Sequence, residues 1–249
     1  MYLREKRANI KMKAILTAQY KKLPFDLRTQ LHLIYDAVNR NKALITLASP
    51  IRQRSTIKKI SKEKFPKRII VGESYPMDGW VVSNYQVFAR NFLDVTKCFA
   101  ESNSISNIYA DNVIEHLELD AARLFMQNAF DALLPGGSIR LITPDCMAIS
   151  NAYIQQDLQK VKEVAADLQQ YELKIDEPID LLHVTFSSFG HHLGRIHDEN
   201  TLTSLLTEAG FRIIERFPTS KSKNPVFQNL EKRVGSSLNW SQLCLEAVK

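Results

Sequence analysis

The feature that most constrains this chain is a change of texture near residue 67. From there to the C-terminus, short apolar or β-branched runs take turns with segments of helical periodicity. Six runs read as strands: Arg68 to Val71, Gly79 to Asn84, Ser106 to Asp111, Ser138 to Thr143, Phe211 to Glu215 and Gln242 to Ala247. Leu119 to Leu134 predicts a helix whose apolar stripe is Leu124, Phe125, Asn128, Ala129 and Ala132, stopped by Pro135-Gly136-Gly137. A stretch from Ala148 to Tyr171 predicts one inserted helix, and Glu199 to Ala209 another, capped by Gly210. Strands alternating with helices call for a largely parallel sheet covered on both faces, an α/β fold. The late strands around the Pro225 region suit an antiparallel pair at one edge.

Composition sets the limits of that domain. The 249 residues, 45% apolar and 24% charged, are enough for one large domain with an appendage and a full core without staples. The three cysteines, Cys98, Cys146 and Cys244, are scattered and form no CxxC, so reduced thiols in a cytoplasmic setting are expected. Cys146 and Cys244 lie beside apolar runs, as packing residues do. No stretch approaches the roughly 20 apolar residues of a membrane span. The N-terminus has a basic run but no apolar segment with a cleavage site, so no secretory signal is expected.

Charge is unevenly placed. Residues 1–68 carry 18 Lys/Arg against 4 Asp/Glu, whereas the remainder carries 15 against 23. The expected division is therefore a basic, mainly helical extension and linker over 1–66, followed by an α/β domain over 67–249. In the extension Leu27, Leu31, Ile34, Tyr35 and Val38 recur at helical spacing. The charge suits an anionic membrane surface, giving peripheral attachment, or an assembly partner. A solvated segment without a partner explains it equally well. Nucleic acid is the weaker expectation, because no aromatic-interleaved motif accompanies the charge.

An ordered set of strings carries a family likeness. Asn112-Val113-Ile114-Glu115-His116-Leu117 is followed by a helix, by Leu134-Pro135-Gly136-Gly137-Ser138-Ile139-Arg140, and by Thr143-Pro144-Asp145. Upstream stand Gly72, Gly79-Trp80 and Leu93-Asp94-Val95; downstream, His191 to Phe211 holds a histidine, an aspartate turn and a Leu-rich helix ending in Ala-Gly-Phe. Together these resemble class I S-adenosylmethionine (SAM) dependent methyltransferases, and within them the branch found near cell-surface polysaccharide genes. The likeness implies a Rossmann-like fold with a mostly parallel seven-stranded sheet, helices on both faces, and SAM across the carboxyl ends of the first strands. It also implies a small-molecule or glycan acceptor in polysaccharide biosynthesis. The glycine-rich motif is degenerate: the turn reads Gly72-Glu73-Ser74-Tyr75-Pro76, and Asn84 stands where the family ends its second strand with an acid. An amide lacks the charge and paired acceptors of a carboxylate.

On this likeness the cofactor-binding candidates are Gly72, Glu73, Ser74, Asn84, Asp94, Asn112 and Val113. Glu73 either faces the cationic end of SAM or is a solvated loop residue. Asp94 either lies near the adenine or caps a turn. The catalytic candidates are His191, His116 and Asp145. His191 or its neighbour His192 is suited to take a hydroxyl proton at neutral pH, since methyl transfer from a sulfonium needs positioning plus deprotonation of the nucleophile. His116 either lines the acceptor side or is packed for structure. No metal is expected, because no acidic or cysteine partner stands at familiar ligand spacing from these histidines. The expectation is a SAM-dependent methyltransferase acting on a sugar hydroxyl. Its rival is a methyltransferase-like module that no longer catalyses and serves to bind or scaffold.

Overall fold

A computed structural model describes residues 37–38, 41–72, 75–169, 173–231 and 236–249. Expectations for Leu27, Leu31, Ile34, Tyr35, Glu73 and Ser74 fall outside those residues. The described strands are β1 (Arg68–Val71), β2 (Val81–Ser83), β3 (Ile105–Asp111), β4 (Leu133–Pro144), β5 (Arg212–Phe217) and β6 (Gln242–Val248). The helices are α1 (Lys42–Lys62), α2 (Leu119–Ala132), α3 (Cys146–Ile154), α4 (Leu158–Leu168), α5 (Pro178–Ser187) and α6 (Glu199–Ala209). Residues 49–85 and 89–249 form one compact unit.

The strands form one sheet in the order β2-β1-β3-β4-β6-β5. β1 pairs in parallel with β2 and β3, and β3 with β4; β6 runs antiparallel to β4 and to β5. Reading the residues one by one yields these six strands, whereas the family likeness implied seven in a mostly parallel sheet. The described sheet is mixed and six-stranded. Between β2 and β3 the chain makes turns and one isolated bridge, Asn84 to Phe92, rather than a further strand. The antiparallel edge around Pro225 forms as anticipated.

Period-two alternation explains why the sheet is covered twice. On β1, Ile69 and Val71 enter a core with Ile108, Ala110, Ile139, Leu141 and Phe125. Ile70, one residue over, enters the opposite core with Tyr109, Ile142, Phe227 and Cys244. Burial pushes the Cys244 thiol up to about 12, as befits a packing residue. A third cluster joins α3, α4 and α5 through Ile149, Ala152, Val161, Leu181 and Val184.

Four local expectations change. The buried stripe of α2 is Ala122, Phe125, Met126, Ala129 and Ala132, while Leu124 is exposed. The helix ends at Ala132, and Pro135-Gly136-Gly137 lies inside β4, where Gly136 and Gly137 bond to Lys249, just past β6. The inserted helix breaks in two: Gln156 takes φ 52°, and the Asp157 side chain caps α4 by accepting from Gln159 and Lys160. The Lys/Arg-rich linker is helical as far as Lys62, and Gln53 bonds to the backbone of Asp94. By contrast α6 keeps its expected bounds, with the Asp198 capping box at one end and Gly210 at φ 104° at the other.

The antiparallel edge is tied by a buried cation. Arg140, fully buried on β4, donates to Glu231 at 2.6 Å and pairs with Glu246 of β6. Arg140, one of the residues that carried the family likeness, is thereby a structural cross-link. Removing it would leave two buried carboxylates uncompensated.

Candidate functional site

Parallel strands end at one edge of a sheet, and a ligand crevice opens where neighbouring connections leave in opposite directions. Here that switch lies between β1 and β3, since β1 leads outward to β2 while β3 leads to β4 on the other side. Four cofactor-side candidates meet there. Gly72 follows β1, Asn84 follows β2, and Asn112 and Val113 follow β3. Gly72 sits at φ 90°, and a Cβ on it would come within 2.3 Å of the Asp111 carbonyl and 2.4 Å of Val113 Cγ2. Its missing side chain thus lets the end of β1 close on the end of β3. Asn112 takes φ 47°, which asparagine tolerates, and turns the chain out of β3.

Hydrogen bonds lock this edge together. The Gly72 N–H donates to Ser83 and the Asn112 N–H to Ile142, both at 3.0 Å. Asn84 Nδ2 donates to the Gly72 carbonyl at 3.4 Å. Asp111, buried at the end of β3, accepts from Asn112 Nδ2 at 3.3 Å. By sequence Asp111 reads only as the end of a strand, and the one signal for more is that an acid closes β3.

Two acidic candidates have structural duties. Asp94 is buried, and one oxygen accepts from the Thr96 N–H at 3.1 Å and the Thr96 hydroxyl at 2.6 Å. Its other oxygen pairs with Lys97 at 3.2 Å. Of its two readings, this geometry is that of a turn cap. Asp145, buried at the end of β4, accepts from the N–H groups of Met147 and Ala148 as the N-cap of α3, and pairs with Arg216. A carboxylate held this way caps a helix and binds a guanidinium.

The histidine candidates converge next to that edge. A 3-10 turn, Ile114–His116, follows β3 directly, and a second, His191–Leu193, follows α5. Gly194 makes their approach possible, because a Cβ there would fall 2.2 Å from the Glu115 carbonyl. The Arg195 N–H then bonds that same carbonyl at 3.1 Å. The His116 and His191 rings lie 4.9 Å apart, between centroids. His191 is buried, and its Nδ1 lies 2.6 Å from the Thr185 carbonyl, so Nδ1 carries the proton and Nε2 keeps a lone pair. Burial lowers its pKa and holds it neutral at neutral pH. Glu115 has no exposed surface and accepts from Thr143 Oγ1 at 3.1 Å. His192 is exposed, with Nδ1 3.3 Å from the Ser187 carbonyl.

Sequence spacing could not pair Glu115 with His191, nor name Thr143, Thr185 and Gly194 as their supports. His197 is a different case: it is 1% exposed and neither ring nitrogen has a hydrogen-bond partner among the described residues. Burial depresses its pKa to about 4. It lines a shallow concavity with Arg123, Arg195 and Thr201 that contains none of the residues gathered at the strand ends.

No protein-family model matches this chain, and no curated protein matches it. Solved structures similar to it include the CurJ carbon methyltransferase, 12% identical with a TM-score of 0.42 over 84% of this chain and 55% of that one. A Haemonchus contortus phosphoethanolamine N-methyltransferase is 12% identical, with a TM-score of 0.43 over 80% and 52%. A SAM-dependent methyltransferase from Archaeoglobus fulgidus is 10% identical, with a TM-score of 0.42 over 80% and 94%. This chain thus spans about half the length of the first two. Likeness at this level assigns no chemistry, which has to come from the geometry above.

Proposed function

We propose that this chain is a SAM-dependent methyltransferase that methylates a hydroxyl of a sugar or glycoconjugate. The observation that carries this reading is the convergence of Gly72, Asn84, Asn112 and Val113 at the strand-switch edge, with His116 and His191 on the turns beside it. The edge fits such a cofactor in position, and the Asp111 carboxylate suits a cationic sulfonium or ammonium centre. Asn84 would meet the ribose with one amide in place of a carboxylate. When bound, SAM supplies a sulfonium-activated methyl group and leaves as S-adenosylhomocysteine.

The chain's own work is then orientation and proton removal. The acceptor oxygen lies against the turns Ile114–His116 and His191–Leu193. His191, its tautomer set by Thr185, takes the hydroxyl proton at Nε2, and His116 orients the acceptor. Glu115 sits behind them, bonded to Thr143. The sugar class and the link to polysaccharide assembly rest on the family likeness of the strings around Glu115, Gly136 and His191. The basic charge of residues 1–68 would hold the enzyme at an anionic membrane surface or an assembly partner. Among the described residues no helix is long and apolar enough to cross a membrane.

A second reading, a non-catalytic binding module, is favoured by Asn84 and by the strand-end N–H groups that are already bonded within the sheet. Methyl transfer from tritiated SAM to a panel of hexose and hexuronic acceptors separates the two. Label incorporated by the full chain and lost in His191→Ala supports the enzyme. No incorporation into any acceptor supports the binding module.

A further inference from the structure

We propose that Glu115, His116 and His191 form a binding site for one divalent ion of the zinc or cobalt type. Each offers one ligand atom, and the three atoms lie within 4.8 Å of one another. The proposal goes beyond the methyltransferase reading, and the site stands whether or not the crevice takes SAM.

Three observations support a built site rather than a chance encounter. First, the chain has shaped its backbone to bring the ligands together. Residues 115–116 and 191 belong to different turns, and Gly194 leaves the room in which the Arg195 N–H docks one turn on the other. Second, the side chains are oriented from behind, as metal ligands are. The Thr185 carbonyl accepts from His191 Nδ1 and leaves Nε2 as the donor nitrogen, while Thr143 Oγ1 bonds one oxygen of Glu115. Third, burial is graded: Glu115 and His191 are buried, and His116 is exposed. A cation beside a carboxylate with no exposed surface offsets part of its desolvation.

The donor set also narrows the ion. Two imidazoles and one carboxylate favour borderline metals over magnesium or calcium, which prefer all-oxygen shells. Bonds of about 2.1 Å in tetrahedral geometry place ligand atoms about 3.4 Å apart, so separations of up to 4.8 Å must contract by up to about 1.4 Å. His116, on the exposed side, is the member with space to swing inward. Three protein ligands leave at least one position open on that side. If the chain is a methyltransferase, an acceptor hydroxyl on that position would lose its proton more readily, and His191 would serve as ligand instead of base; this clause rests on the function proposed above.

The test uses the full chain, stripped of metal by chelation and kept free of SAM. CoCl2 is titrated in and followed by the visible absorption of protein-bound cobalt, and ZnCl2 is titrated by calorimetry. One ion per chain is expected. His116→Ala and Glu115→Gln should each weaken binding at least about tenfold with the circular dichroism unchanged. His183→Ala, at an exposed histidine away from both turns, should bind as the parent does. Absence of saturable one-to-one binding overturns the proposal, as does parental affinity in His116→Ala. A loss confined to His183→Ala identifies an adventitious ion on another histidine and overturns it equally. His116→Ala is the decisive variant, because an exposed residue can be truncated without unfolding the chain. Neither readout requires methyl transfer, so a protein inert toward SAM can still bind the ion.

Discussion

The two sides of the candidate site are built on different terms. At the strand ends the polar groups answer one another: Gly72 to Ser83, Asn112 to Ile142, Asn84 to Gly72. At the histidine turns the supports lie behind, so the Thr185 carbonyl fixes the His191 ring and leaves the lone pair on Nε2. The first side is a packed edge whose contribution is shape. The second is an oriented set of donors whose contribution, on the function proposed, is reactivity. Damage to the first should therefore read out as lost fold, and damage to the second as lost activity in a folded chain.

Gly72→Ala is the strongest way to break that contrast. A Cβ at φ 90° and 2.3 Å from the Asp111 carbonyl adds backbone strain to overpacking. The expected cost is about 3–5 kcal/mol, measured by urea unfolding. A variant that melts like the parent would mean the edge is softer than described.

An acid titration comes next in size. Buried His197 has a pKa of about 4 instead of its ordinary 6.5. Between those values the unfolded chain takes up a proton that the folded chain refuses, so stability falls as pH drops from 6.5 toward 4 and levels off below. The full span is worth roughly 3 kcal/mol, and His197→Leu should flatten this part of the acid limb. An unchanged slope in that variant would place the titrating group elsewhere.

Gly194→Ala probes the other side. Its φ of −125° is ordinary, and the clash with Glu115 and His116 is steric alone. We expect about 1–3 kcal/mol of destabilisation, with methyl transfer and cobalt binding lost in a folded chain. Retained chemistry would show that docking of the two turns is not what assembles the cluster.

Asp94→Ala is the mildest. Losing its bonds to Thr96 should cost about 1 kcal/mol and leave SAM affinity unchanged. A collapse of SAM affinity would return Asp94 to the cofactor side.

The legible parts of the fold were those governed by local chemistry. Strand positions followed from β-branched runs such as Ile69-Ile70-Val71, and the bounds of α6 from Asp198 and Gly210. What misled were residues with two uses. Pro135-Gly136-Gly137 looks like a helix stop but lies within β4, where the register against β3 shifts and Lys249, distant in sequence, bonds to Gly136 and Gly137. Leu124 looks like core but faces solvent, since the turn of α2 gives that place to Phe125 and Met126. At the site, His116, His191 and Gly72 were legible as candidates, whereas the docking of Glu115 under Gly194 joins residues about 80 apart in sequence and leaves no local signal.

The most direct test of the function proposed here is calorimetric titration of the full chain with SAM and S-adenosylhomocysteine. Saturable one-to-one binding of both is expected, preserved in His191→Ala. Heat-silent titrations of a folded sample at millimolar cofactor would contradict it and leave the strand-end edge as packing alone.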